Sequence, residues 1–294
     1  MNLQSVAARA GIEVVRDGGF ESLGLLSYDT PAMLVFLEDE QYLPQLLENQ
    51  HVSAVVARPG LADRVPKRVA LGLSPEPRRA FFALHRELAS GDFYGKRFPT
   101  EIAKSARVHP RAFVAEHNVR IGEHCVVEPN ATIMENSILA DGVIVRAGAV
   151  IGSEGFQFSS VGGQMLSVTH AGGVRLERGV EVQSNACVDR AVFGGFTVVG
   201  EDTKIDNLVH IAHNVRLGKR NRVVAGAMVG GSVRTGNDVW VGPMASISSE
   251  ITVGDGAFIT LGAVVTRDVL AGERVTGNFA IDHEKFIRFL KSIR

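Results

Sequence analysis

From Val199 to Val265 an aliphatic residue or its isostere stands at every sixth position: Val199, Ile205, Ile211, Leu217, Val223, Val229, Thr235, Val241, Ile247, Val253, Ile259 and Val265. A helical face repeats apolar residues at three and four and a half-buried strand at two, so a strict six belongs to neither. Six residues must therefore make one short strand and its corner, and a chain of such units is a solenoid whose hand the period alone does not set. The residue after each anchor is usually small or polar, as at Gly200, Asp206, Ala212, Gly218 and Gly230. The fifth position is often small or β-branched, as at Thr203, Val215, Ala227 and Val233. Both features predict strands that bend at each end.

This pattern resembles the hexapeptide-repeat left-handed parallel β-helix, in which three hexads make one triangular coil. The resemblance, not the period, supplies the hand, because parallel crossovers are otherwise almost always right-handed. Residues eighteen apart then stack at the strand spacing of about 4.8 Å. Three inner columns follow: Val199, Leu217, Thr235 and Val253; Ile205, Val223, Val241 and Ile259; Ile211, Val229, Ile247 and Val265.

Residues 1–98 lack the six-period and read as a small mixed α/β domain. Helices are predicted over Ser5–Ala10, Glu40–Asn49 and Arg79–Ala89, and extended segments over Ile12–Val15, Ala32–Leu37 and Ser53–Ala57. Gly91, Gly95 and Pro99 interrupt the link that follows. The solenoid is assigned to 99–278, with Ile102, Val108 and Val114 as first anchors and a one-residue slip at Ile121, read as a bulged corner. The period stops over Ser153–Gly173, an external loop, and again over Asp189–Thr197. Segment 279–294 holds one amphipathic helix, Asp282–Ile293, capped by Asp282. The fold class is thus mainly β.

Lysine and arginine are scattered through the 294 residues at a net charge of −1, which leaves no electrostatic footprint for nucleic acid. No signal-peptide core and no run of eighteen apolar residues occurs, so the expectation is a cytoplasmic chain without a membrane span. Cys125 and Cys187 lack metal-ligand spacing and read as buried thiols, and no bound metal or cofactor is expected.

One polar phrase interrupts the repeat: Asp206, Asn207, His210, Ile211, Ala212, His213, Asn214. His213 lies two positions after the inward Ile211, so its side chain should point away from the packed column. On periodicity alone it is a surface histidine; an imidazole there is also able to accept a proton near neutral pH. Gly231, eighteen residues on, falls on the same corner one coil away and reads alone as a corner glycine.

Three stretches carry a more specific resemblance: Val150-Ile-Gly-Ser-Glu-Gly-Phe156, Val188-Asp-Arg190 and Ile205-Asp-Asn-Leu-Val-His-Ile-Ala-His-Asn-Val215. With Val35-Phe36-Leu37, Gln41-Tyr42 and Ser53-Ala-Val-Val56, they make the chain similar to the UDP-3-O-acylglucosamine N-acyltransferases of lipid A synthesis. The resemblance implies a homotrimer with active sites between neighbouring β-helices. It makes His213 the general base and gives the Gly231 amide an oxyanion contact. It further implies orientation or substrate contacts for Asp206 and Asn214, a substrate contact at His210 where the family has glutamine, and a nucleobase held by Phe36 and Tyr42. Asp189 and Arg190 stay open between a salt-bridged corner and a sugar contact.

Departures matter too. The family's second active-site histidine corresponds to Glu250, which accepts hydrogen bonds but cannot imitate a neutral imidazole, and Asp39-Glu40 replace an Asn-Pro between the two rings. One helix stands where the family has a longer helical extension, and its Lys285, Arg288, Lys291 and Arg294 face either an acidic carrier, coenzyme A phosphates or solvent. The expected function is N-acyl transfer from acyl carrier protein or coenzyme A to the amine of a nucleotide-linked amino sugar, in a lipid A-type, O-antigen, capsule or other glycan pathway. Two rivals stand beside it. A trimeric carbonic anhydrase would hold zinc through His210, His213 and His170 or His124, a poor spacing match. A non-catalytic β-helix scaffold would leave His213 without a task.

Overall fold

The computed structural model describes residues 1–161, 163–277 and 280–293. Short parallel strands from Glu101 to Val275, most of them two residues long, build three walls of nine, eight and eight strands. Ile211 pairs laterally with Val229, Val229 with Ile247 and Ile247 with Val265. Ile205, Val223, Val241 and Ile259 make the second column. The fold is a left-handed parallel β-helix. Its interior is one thin column of Val, Ile, Leu and Ala, almost all fully buried. Each such side chain contributes roughly 1.5–3 kcal/mol on leaving water.

The corners obey a rule that the anchors do not reveal. Left-handed backbone recurs three residues after each anchor, at Leu208, Asn214, Arg220, Gly226, Ser232, Asp238, Met244, Glu250, Gly256 and Gly262, with φ between 55° and 67°. The glycines directly after the anchors serve a different end. A Cβ on Gly200 or Gly218 would lie 2.3 Å from a carbonyl oxygen of the next coil, so they permit close stacking and do not make the bend. Inside the prism, Asn221 breaks the small-residue rule. Its amide donates to Thr235 Oγ1 (2.6 Å) and to the carbonyl of Gly236 (3.0 Å), while its oxygen accepts from the Val239 N–H (2.7 Å).

The slip before Ile121 appears as a change of register. Ile102 pairs with Ile121 and Val114 with Ile133, nineteen residues apart, whereas Ile121 pairs with Leu139 at eighteen. The extra residue sits in the corner between Phe113–Val114 and Val119–Ile121, where Asn118 has φ 58°. The segment expected as an external loop holds an antiparallel hairpin, Phe158–Val161 against Gln164–Ser167. The second interruption is buried: Ala191, Val192 and Phe193 turn towards the N-terminal lobe.

That lobe is a five-stranded sheet in the order Glu13–Arg16, Ala70–Leu73, Val52–Ala57, Met33–Leu37, Ser22–Leu23, parallel except for the first pair. Met33–Leu37 and Val52–Ala57 are apolar runs buried on both faces, as central parallel strands are. Helix Pro77–Ala89 starts with proline at its first position and buries Phe81, Leu84 and Leu88 against the sheet. Val168, Val192 and Phe193 from the two interruptions join this core, with Phe193 5.5 Å from the Phe81 ring. The last helix, His283–Ser292, is capped by the Asp282 carboxylate at the Lys285 N–H (3.1 Å) and is exposed along its length. Arg294 and the expected boundary at 278/279 lie outside the described residues. No described helix is long and apolar enough to cross a membrane.

Candidate active site

The corner after Ile211 carries the polar phrase that interrupts the repeat. Ile211 points into the prism, so the half-buried His213 projects outward from the bend. Asn214 adopts the left-handed conformation (φ 61°), which asparagine tolerates better than most residues. Its Oδ1 accepts the Val192 N–H at 3.1 Å, which settles that oxygen, not nitrogen, faces the histidine. Oδ1 also lies 3.1 Å from His213 Nδ1. Since that oxygen only accepts, Nδ1 carries the proton and Nε2 keeps its lone pair.

Gly231 lies against this imidazole, one coil further up. A Cβ at Gly231 would sit 2.7 Å from His213 Cε1 and 2.9 Å from Nε2, so any side chain would displace the ring. The stacking is locked by the Ser232 N–H donating to the His213 carbonyl (2.9 Å), and the Gly231 N–H donates to no acceptor among the described residues. Burial pushes the His213 pKa below the ordinary histidine value, against upward pulls from Asn214 and Asp189. The ring is therefore neutral at pH 7, as a proton acceptor must be.

A second imidazole stands edge-on to the first. His170 and His213 have ring centroids 5.7 Å apart at 71°. His170 Nδ1 donates to the Val168 carbonyl (3.0 Å), so its Nε2 is a bare acceptor, buried and without a partner among the described residues. Burial, with His213 nearby, pushes its pKa down to about 4. Gly155 closes over both rings: a Cβ there would meet His170 Nε2 at 3.0 Å, Asp189 Oδ2 at 3.2 Å and His213 Cδ2 at 3.2 Å.

The predicted nucleobase residues gather on the lobe. Phe36 and Tyr42 line one cavity of about 270 Å³ with Glu38, Arg78 and Glu250. Phe36 rests on Phe81 (5.1 Å), with the Arg78 guanidinium 5.4 Å from its ring and Arg78 paired to Glu38 at 2.6 Å. Glu250 belongs to the corner above Gly231, its N–H donating to the Gly231 carbonyl, and its carboxylate accepts from Ser27 of the lobe (2.9 Å). A second cavity of about 600 Å³ runs between lobe and solenoid past Tyr28, Asn214, Ser232 and Glu250.

Comparison with known proteins decides the family. Residues 118–153 and 196–231 match the bacterial transferase hexapeptide (six repeats) model. The UDP-3-O-acylglucosamine N-acyltransferase of Helicobacter pylori strain HPAG1 is 31% identical over 252 residues, covering 76% of this chain and 73% of that protein. The enzyme of the same name from Azorhizobium caulinodans is 30% identical over 264 residues, covering 76% and 72%. This chain belongs to the UDP-3-O-acylglucosamine N-acyltransferase family. It is an acyltransferase. A UDP-N-acetylglucosamine acyltransferase structure from Campylobacter jejuni shares the fold, with TM-score 0.52 and 21% identity over 66% of this chain and 81% of that one.

Within this acyltransferase the sequence-predicted residues divide. His213, Asn214 and Gly231 meet at one corner, Glu250 stands on the coil above, and Phe36 and Tyr42 share a cavity with Glu250. Asp206 does not join them: its oxygens take the N–H groups of Asn207 (2.7 Å) and Ala225 (3.1 Å), the work of a corner aspartate. His210 instead faces Asp189, Nε2 to Oδ2 at 3.4 Å. The Arg190 guanidinium is drawn to Glu154 (3.2 Å). Sequence reasoning missed Gly155 and the lobe clamp, in which Arg234 grips the Asp29 carboxylate with two bonds (2.9 and 3.0 Å) and Tyr28 meets Ser232 (3.3 Å). It met His170 only as a zinc ligand. Gly155 was present in a quoted motif; the clamp pairs residues some two hundred positions apart and leaves no local signal.

Proposed function

We propose that this acyltransferase moves an acyl group from a thioester, carried by acyl carrier protein or coenzyme A, to the amine of a UDP-linked amino sugar in glycan or lipid A-type biosynthesis. The curated relatives are named for a UDP-3-O-acylglucosamine acceptor, which favours uridine as the nucleotide. The observation that carries the reading is the bare Nε2 of His213 set against the Gly231 backbone. The sugar amine attacks the thioester carbonyl carbon, His213 Nε2 takes the ammonium proton, the Gly231 N–H receives the oxyanion, and the C–S bond breaks to release the thiol. A positioned base contributes about 10²–10⁴ in rate, and an oxyanion donor about 10²–10³. Phe36 and Tyr42 hold the base in the lobe cavity. The working particle is a homotrimer, each cleft completed by a neighbouring solenoid.

The test is a panel of UDP-, dTDP- and GDP-linked amino sugars incubated with acetyl-CoA and with acyl carrier protein thioesters, reading product mass. An N-acylated UDP sugar, made at least ~10²-fold more slowly by His213→Ala, is the expected result. Near-normal turnover by that variant would overturn the base assignment, and products only with acetyl-CoA would narrow the donor.

A further inference from the structure

Three side chains left aside by this chemistry meet on the outer wall. Cys187 and His210 are lateral neighbours on adjacent coils. Because Val188 and Ile211 point inward, both side chains point out on the same face, one strand spacing apart. Asp189 completes the group, with Cys187 Sγ 3.4 Å from its Oδ1 and His210 Nε2 3.4 Å from its Oδ2. All three potential ligand atoms lie within 4.8 Å of one another.

Those separations have a chemical meaning. Tetrahedral zinc with bonds of about 2.0–2.3 Å spaces neighbouring ligand atoms by roughly 3.3–3.7 Å. Cys187 Sγ and His210 Nε2 each already stand 3.4 Å from an oxygen of Asp189, one from Oδ1 and the other from Oδ2, and rotation of His210, whose side chain is 44% exposed, brings the three groups around one ion. The surroundings favour a cation. Asp189 is 3% exposed, yet no Lys or Arg among the described residues pairs with it; its other partner is the Ser153 hydroxyl at 2.7 Å. Across Gly155 the same carboxylate is faced by His170 Nε2, a second buried acceptor without a donor among the described residues.

We propose that Cys187, Asp189 and His210 form a binding site for a divalent cation of borderline softness, zinc fitting the mixed sulfur, nitrogen and oxygen set best. Its fourth position opens on the exposed side of His210. The site stands on geometry and does not rest on the acyl-transfer reading. Linear spacing hides it: the ligands are separated by an interruption of the repeat and meet only because coils stack.

Cobalt(II) is the probe. Full-length protein stripped with chelator and titrated with Co²⁺ is expected to develop visible d–d bands and a near-ultraviolet thiolate charge-transfer band. Both should saturate at about one equivalent per chain and be displaced by Zn²⁺. Cys187→Ser should abolish the charge-transfer band, and His210→Gln should weaken zinc binding about tenfold or more; both residues are on the outer face, so folding is retained. His213→Ala and Cys125→Ser should leave the spectrum unchanged. No cobalt spectrum, an undiminished charge-transfer band in Cys187→Ser, or a spectrum lost in His213→Ala would each overturn the assignment.

Discussion

At the scale of single residues, the corner at His213 works by exclusion as much as by placement. Gly231→Ala should leave the melting temperature nearly unchanged, since Gly231 has an ordinary backbone conformation, but should lower kcat by about 10², because the added methyl would collide with the imidazole edge. The pH profile follows from burial. If His213 is the base proposed above, it acts unprotonated, and burial depresses its folded pKa, so in chelator the acid limb of kcat/KM should fall below the ordinary histidine value near 6.5. His170 carries the matching stability effect. Its folded pKa of about 4 lies below that of the unfolded chain, so protons favour the unfolded state as pH drops from about 6.5 towards 4. Up to roughly 3 kcal/mol should be lost over that window, and His170→Gln should flatten the loss in denaturant melts. The repeat let the sequence place His213 and Gly231 on one corner because they differ by one coil, and the family resemblance, not the spacing, suggested their roles. It could not reveal that Val192 sets the orientation of Asn214, since that contact depends on how an irregular segment folds back.

At the scale of the strand and its corner, the repeat's economy lies in where it bends. Leu208 and Met244 occupy the left-handed position with bulky, largely exposed side chains. Leu208→Asn should therefore stabilise the isolated chain by about 0.5–1 kcal/mol, measured by urea denaturation. Asn221→Ala should cost about 2–3 kcal/mol, since it strands the Val239 N–H and the Gly236 carbonyl inside the prism. The anchors were legible because one inward side chain per hexad is the minimum a thin prism needs. The bend was less so: Gly, Asn and Asp favour it, as at Asn214, Gly226 and Asp238, but residues as different as Leu208, Arg220 and Ser232 occupy it too and blur the signature. The hairpin at Phe158–Ser167 escaped notice although the sequence offers Gly162-Gly163, a two-residue turn signal, because its four-residue strands carry too little alternating apolar pattern to be read as a pair.

At the scale of the whole molecule, lobe and solenoid are joined by apolar burial through Phe193 and by the Asp29–Arg234 and Tyr28–Ser232 contacts. Arg234→Ala should raise KM for the nucleotide sugar several-fold while changing kcat less, because the exposed pair is worth only about 0.2–1 kcal/mol yet helps to set the lobe over the 600 Å³ cavity. Sedimentation equilibrium should give three times the 31.5 kDa chain mass if the clefts are completed by neighbours. The coil register of eighteen carries a last implication. A deletion of six residues between Leu217 and Val229 would rotate everything beyond it by one wall and carry Gly231 away from His213. Removing a full coil elsewhere would shorten the prism without disturbing that encounter. Around His213 and Gly231 the stack can thus be lengthened or trimmed only in whole storeys, while insertions that leave by a corner, as the Phe158–Ser167 hairpin does, spare the encounter, and indels among relatives should follow that division.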